Sequence, residues 1–221
     1  MSRIGSFLVV LLVLAGLSGA AVPAVQAQQN PPDGKDWVSL FDGQSLDGWR
    51  ASENEETFSV QDGRIVADGP RSHLFYVGSV ENHDFDDFEF RVDVMTRPGA
   101  NSGIYFHTAY QDEGWPSAGY EVQINNSYDS DPRRTGSLYA VDDVKQSPVT
   151  DDEWFTMGIR VEGRDVTVTI DGETVVDYTE PADVEREDMA GRVLSSGTLA
   201  LQGHDPESTV YFKNLYVRPL E

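Results

Sequence analysis

Between Trp37 and Leu220 apolar residues recur at every second position and almost nowhere at helical spacing. Phe88, Phe90, Val92 and Val94 alternate with Glu89, Arg91 and Asp93. Ile159 and Val161 alternate with Arg160 and Glu162, and Val166, Val168 and Ile170 alternate with Thr167 and Thr169. A period of two puts successive side chains on opposite faces, so each run describes a strand with one buried face. Asp62-Gly63, Glu162-Gly163 and Asp171-Gly172 punctuate the runs, and glycine there accepts the positive φ of a tight hairpin. About a dozen such runs follow one another without a βαβ rhythm. The pattern predicts an all-β antiparallel sandwich or barrel, with one short helical turn accommodated between Pro181 and Leu194.

The N-terminal segment has a different character. Arg3 precedes the apolar run Ile4–Leu17, and Val25-Gln26-Ala27 provides a small-residue cleavage motif, the layout of a secretory signal peptide over residues 1–27. The other reading of this run is a retained membrane anchor, which Val22-Pro23-Ala24 opposes because proline interrupts a spanning helix. Residues 28–36, with Pro31-Pro32-Asp33-Gly34, form a flexible lead-in to a single β-sandwich domain over residues 37–221. The expected product is an exported protein of 194 residues, periplasmic or extracellular, with no membrane association after cleavage. The chain has no cysteine, which excludes disulfides, thiolate metal sites and cysteine nucleophiles.

Removing Arg3 with the leader leaves fifteen cationic against 38 acidic residues, a net charge of −23. Such a surface repels nucleic acid and anionic lipid. It suits neutral ligands, calcium or a salty medium. Glu53-Asn54-Glu55-Glu56 and the acidic stretch Asp183–Asp188 read as solvated loops.

Three strand-like runs have a polar second face. In Ser102–His107, Ile104 and Phe106 share one face, with Tyr105 and His107 on the other. In Tyr120–Asn125 the second face carries Glu121, Gln123 and Asn125. In Leu199–His204 it carries Ala200, Gln202 and His204. If the three strands are neighbours, His107, Glu121, Gln123, Gln202 and His204 form one surface with Tyr105 beside them. Those groups donate and accept the hydrogen bonds that sugar hydroxyls need. The same pattern also describes an ordinary solvated face, but this one lacks the lysine, arginine and threonine of the other outer faces. Trp115, on the loop Glu113–Pro116, is placed either to stack on a sugar ring or to cap the core, and Tyr139 alternates with Leu138 toward the same surface. His73 and His83 read as loop or edge histidines, and Trp37, Trp49 and Trp154 as core.

A retaining glucanase on a sandwich needs two carboxylates about 5 Å apart. Here Glu121 is followed on its face by the amides Gln123 and Asn125. A serine-hydrolase elbow, a zinc-protease motif and a phosphate loop are all missing from the sequence. The residues that remain, Glu121 with His107 and His204, suit proton transfer or two-His-one-carboxylate binding of a divalent metal.

The motifs Trp37–Trp49, Asp86–Phe90, Ala100–Phe106, Gly119–Ile124, Thr135–Tyr139, Ile170–Gly172, Leu199–His204 and Val210–Leu215, taken in order, resemble the bacterial 3-keto-disaccharide hydrolase domain family. That resemblance covers nearly all of residues 37–221. It implies a two-sheet antiparallel jelly-roll sandwich of the concanavalin A-like kind. It also implies cleavage of 3-keto-glycosides by C2 deprotonation, β-elimination and rehydration. Glu121, His204 and His107 are then the candidate catalytic residues. Gln123, Gln202, Tyr139, Tyr105 and Trp115 would hold substrate, and a divalent metal, if used, would sit on His107, Glu121 and His204. The chain departs from the family's usual pattern at His107, where arginine is common, at Phe155 and at Lys213. A non-catalytic carbohydrate-binding module and an adhesive surface domain are the competing readings.

Overall fold

The computed structural model describes residues 31–220, so the leader expected over residues 1–27 lies outside the described residues. Thirteen strands form among the described residues. The first seven are β1 (Val38–Ser39), β2 (Trp49–Ala51), β3 (Phe58–Gln61), β4 (Arg64–Ala67), β5 (Ser72–Tyr76), β6 (Phe88–Thr96) and β7 (Ser102–Thr108). The rest are β8 (Tyr120–Ile124), β9 (Phe155–Glu162), β10 (Asp165–Ile170), β11 (Glu173–Thr179), β12 (Thr198–Gly203) and β13 (Val210–Pro219). Helix among the described residues is limited to short 3-10 turns at Glu55–Thr57 and Val80–His83. The stretch Pro181–Leu194, expected to hold a helical turn, is irregular.

The strands build two antiparallel sheets. One runs β11-β10-β9-β6-β13-β4-β3 with β1 added beside β13, and the other runs β2-β5-β12-β7-β8. This is the all-β jelly-roll sandwich that the period-two pattern and the resemblance call for. The hairpin β3–β4 turns on Asp62-Gly63 and β10–β11 on Asp171-Gly172, with positive φ at all four residues. Both are the left-handed turns whose twist matches the flanking strands.

The core fills the space between the sheets. Phe88, Phe90, Val92 and Val94 of β6 and Met157, Ile159 and Val161 of β9 meet Leu74, Ile104, Phe106, Val122, Ile124, Leu199 and Leu201 from the smaller sheet. On the larger sheet the outer face is solvated, as the alternating burial of β6 and β9 shows. The smaller sheet differs: β5, β7, β8 and β12 are buried along their whole length, polar residues included. Its outer face is therefore covered by loops.

Trp49 is buried in the core, with its indole N–H on the Leu40 carbonyl at 2.7 Å. Trp37 and Trp154, expected in the core, are only half-buried at its edge and carry Arg218 and Lys213 over their rings.

Candidate active site

The strands β12, β7 and β8 are neighbours, so their polar faces do merge. Register aligns Ala200 with Tyr105 and Tyr105 with Glu121 in one row. Gln202 pairs with His73, and Gly103 with Gln123, in the next. A cleft of about 530 Å3 stands over these rows, lined by Tyr105, Glu121, Gln123, Gln202 and His204 from the sheet side. Tyr139 and Trp115 line it from the loops.

Glu121 lies on the floor, 5% exposed. Its Oε2 accepts the Tyr105 hydroxyl at 2.8 Å and its Oε1 accepts the Gln202 amide at 2.9 Å. Burial pushes its carboxyl up to about 7, against the opposing pull of the Tyr105 hydrogen bond and the Arg192 charge. Burial and the neighbouring Glu121 carboxylate in turn hold the Tyr105 hydroxyl well above its ordinary value, so it stays a donor.

The two glutamines each keep one free acceptor. Gln123 donates to Asn101 Oδ1 at 2.8 Å and Gln202 donates to Glu121, yet the side-chain carbonyl oxygens of both are buried without a protein partner. Unpartnered buried acceptors are uncommon in a folded protein, and here both belong to residues that line the cleft.

His204 follows β12 on the same face. Its Nδ1 is 2.6 Å from Asp205 Oδ2, which fixes the ring with the Nδ1 proton toward the carboxylate and leaves Nε2 as the free nitrogen. Its ring centroid lies 5.4 Å from that of Trp115. Tyr139 donates to Asp131 Oδ2 at 3.1 Å, and the guanidinium carbons of Arg133 and Arg192 lie 4.4 and 5.1 Å from its ring centroid.

His107 is not brought to the cleft, contrary to the sequence expectation. Between the pairs Thr198↔Thr108 and Ala200↔Tyr105, β7 advances three residues while β12 advances two. This bulge, with His107 at φ 54°, breaks the alternation and turns the imidazole away from the face carrying Tyr105. The ring packs on Phe88 and Phe106. Its Nε2 donates to the Asp86 carbonyl at 2.8 Å and its Nδ1 accepts the Ser195 N–H at 3.2 Å. Both nitrogens are engaged by backbone, and burial lowers the imidazole below its ordinary value. His107, Glu121 and His204 therefore do not fit a two-His-one-carboxylate metal site. Among the described residues no three His, Cys, Asp or Glu side chains come together as a metal site.

Several lining residues were not singled out from the sequence. Arg192, nearly buried, donates to the Tyr139 carbonyl and supplies a fixed positive charge beside Glu121. Asp131 is a second carboxylate in the cleft, but Arg133 pairs with it at 3.3 Å and Tyr139 donates to it. Both sit on long irregular stretches, Thr179–Ser196 and Ser127–Thr135, whose length was their only signal. His73 is a further correction. It is the second residue of β5, an inner strand between β2 and β12, on the cleft side of the sheet, fully buried, edge-on to Tyr105 and Trp115 at 5.4 Å each. His83 is exposed on a turn, as expected.

Solved structures share this architecture. A Parabacteroides distasonis ATCC 8503 protein with a provisional glycosyl hydrolase name is 23% identical, with 84% of this chain and 94% of that one covered at a TM-score of 0.71. The exoplasmic/lumenal domain of VIP36, bound to Ca2+ and Man3GlcNAc, is 9% identical, with 84% and 89% covered at 0.56. The transglycosylase Crh5, in complex with NAG, is 13% identical, with 84% and 85% covered at 0.55. At these identities the likeness is one of fold. No curated protein matches the chain. Residues 36–218, which hold both sheets, the covering loops and every residue lining the cleft, match the model of the 3-keto-alpha-glucoside-1,2-lyase-like domain, and the chain belongs to that carbohydrate-active, glycosyl-hydrolase-like family.

Proposed function

We propose that the cleft cleaves 3-keto-glycosides by elimination and rehydration. The observation that carries the reading is Glu121: a buried carboxyl on the floor of a sugar-sized cleft, held near neutrality, whose only strong partners are neutral donors. A ketone at C3 acidifies the C2 proton. Glu121 takes that proton, and the electron pair is stabilised as the C2–C3 enolate. The enolate oxygen needs positive charge or donors nearby. Arg192 is the fixed cation of the cleft and takes that part, since His107, a candidate catalytic residue from the sequence, is turned away from the cleft. Collapse of the enolate forms C1=C2 and breaks the bond from C1 to the leaving oxygen, which departs with the pair. The leaving oxygen takes its proton from water or from His204, which is oriented by Asp205 and donates through Nε2 when both ring nitrogens carry protons. Water then adds to the enone at C1, with a proton returned to C2, for net hydrolysis.

Gln123 and Gln202 support the substrate class. Their buried, unpartnered carbonyls are acceptors for sugar hydroxyls, and Tyr139 and Asp131 extend the polar wall. The protein is proposed to act after export, in the periplasm or outside the cell. The support is the apolar run Ile4–Leu17 followed by Val25-Gln26-Ala27.

The test is an assay on a 3-keto-glucoside and its unoxidised parent, with wild type and Glu121→Gln, in the presence and absence of chelator. Turnover of the keto sugar alone, lost in Glu121→Gln, is the expected result. Cleavage of the unoxidised parent would instead make Glu121 and Asp131 an acid–base pair for direct hydrolysis. Binding of glycosides without turnover of either would make the domain lectin-like.

A further inference from the structure

The cleft has two chemically different ends. Only Val38, Trp115 and Met189 are large hydrophobic residues exposed by 40% or more among the described residues, and two of them, Trp115 (44%) and Met189 (41%), line this one cleft. Isolated exposed apolar side chains are ordinary on a surface; two converging from loops more than 70 residues apart on the rim of a cleft are not. Pro116 and Ala190 lie next to them on the same lining.

These positions are set by the fold. The Gly119 N–H donates to the Gly191 carbonyl at 2.9 Å, which ties the two loops together. A Cβ at Gly191 would stand 2.0 Å from the Ser117 carbonyl oxygen, so only glycine allows this approach. The Gln111 side chain pins its own loop, donating to the carbonyls of Glu113 at 2.7 Å and Trp115 at 2.9 Å while accepting the Ser117 N–H at 3.1 Å. The indole is held edge-on to His73, with Arg71 5.2 Å from its centroid. An exposed aromatic already held in place loses little freedom when a ligand covers it.

We propose that this apolar rim is the leaving-group subsite, that it selects flat, neutral, aromatic aglycones over a second sugar, and that Trp115 and Met189 are its specificity-determining residues. The proposal rests on the elimination reading for the direction of the substrate: the keto sugar lies on the polar floor of Glu121, Gln123 and Gln202, and the aglycone points at Trp115. A second pyranose can stack its C–H face on the indole, yet its ring hydroxyls would then meet Pro116, Met189 and Ala190 instead of partners, whereas an aryl ring stacks with no hydroxyl left to pair. The chemistry agrees. An aryl oxygen leaves C1 as a phenolate, carrying the bond pair, and takes its proton from His204, which adjoins Trp115, or from water. Asp188, beside Met189 in the lining, disfavours an anionic aglycone.

The experiment compares binding of unoxidised phenyl glucoside and of a glucose disaccharide of the same anomeric configuration by calorimetry, to wild type, Met189→Ser, and the Trp115→Ser/Met189→Ser double variant. Neither ligand carries the ketone, so no chemistry intervenes. The phenyl glucoside should bind wild type at least about tenfold more tightly. Met189→Ser should narrow that ratio and the double variant should bring it to within about twofold, with folding checked by circular dichroism. Equal or tighter binding of the disaccharide, a preference that survives in the double variant, or binding of neither ligand would overturn the proposal. Turnover of the two 3-keto derivatives is measured in parallel. A binding preference without any turnover would remove the elimination chemistry and leave the subsite; turnover with the preference reversed would do the opposite.

Discussion

Gly103 lies directly under Glu121: a Cβ built on Gly103 would stand 2.5 Å from Glu121 Oε1 and 2.9 Å from its Cγ. The φ of Gly103 is not positive, so the backbone does not require glycine there. The space does. β7 contributes an empty position between Tyr105 and Asn101, and the Glu121 side chain lies down in it to reach Tyr105 and Gln202.

Gly103→Ala is therefore expected to keep the sheet and displace the carboxyl. Overpacking at one methyl costs about 1–3 kcal/mol. Misplacement by an ångström can lower turnover about a hundredfold. Circular dichroism and kcat on a 3-keto-glucoside check both, and full turnover would show that Glu121 need not occupy this position.

The raised carboxyl of Glu121 makes two pH predictions. As a base it must be ionised, so kcat/KM should climb with pH, reach half its maximum near 7, and level off above; a wild-type profile flat across 7 would remove Glu121 as the base. For stability the sign is opposite. The folded carboxyl holds its proton up to about 7, the unfolded one only to about 4.5. Its contribution is fully present below about 4.5 and falls as pH rises through 7, by about 3 kcal/mol. Urea unfolding at pH 5 and pH 8 should show this slope in wild type and a flatter one in Glu121→Gln.

His73 is buried with both ring nitrogens unpaired, among Phe75, Tyr105 and Trp115. Burial, chiefly, lowers its imidazole to about 3, so it is neutral in the folded protein. His73→Phe should stabilise the protein at pH 7 by about 1–2 kcal/mol, because two desolvated polar atoms are removed at similar shape. The native histidine also favours the folded state fully only above about 6.5, and that contribution is lost as pH falls toward 3. The phenylalanine variant should therefore resist acid better. An unchanged or lowered melting temperature would mean that His73 serves a partner in the working protein.

With 38 acidic residues against 16 basic ones, self-repulsion opposes the compact state. Added salt shortens the screening length to about 3 Å at 1 M. The melting temperature should rise as sodium chloride goes from 0.1 to about 1 M. A flat or falling curve would sever the acidic surface from any adaptation to salt.

Much of the fold and part of the cleft were legible before any coordinates. Phe88 to Val94 and Val166 to Ile170 announce strands because side-chain alternation is a local property of an extended chain, and Asp171-Gly172 announces its hairpin because φ is local too. The polar phase of Glu121, Gln123 and Gln202 follows from the same rule. His107 obeyed the rule on paper and breaks it in the sheet, since a bulge between β7 and β12 depends on how two distant strands match their lengths. His73 looked isolated because its partner, Gln202, is more than a hundred residues away. Period two by itself separates two faces and leaves open whether the polar one meets water or a ligand. That was decided by tertiary structure: strand order, which rests on non-local pairing, and the loops that bring Arg192, Asp131, Trp115 and Met189 over Glu121, which no repeat in the sequence encodes.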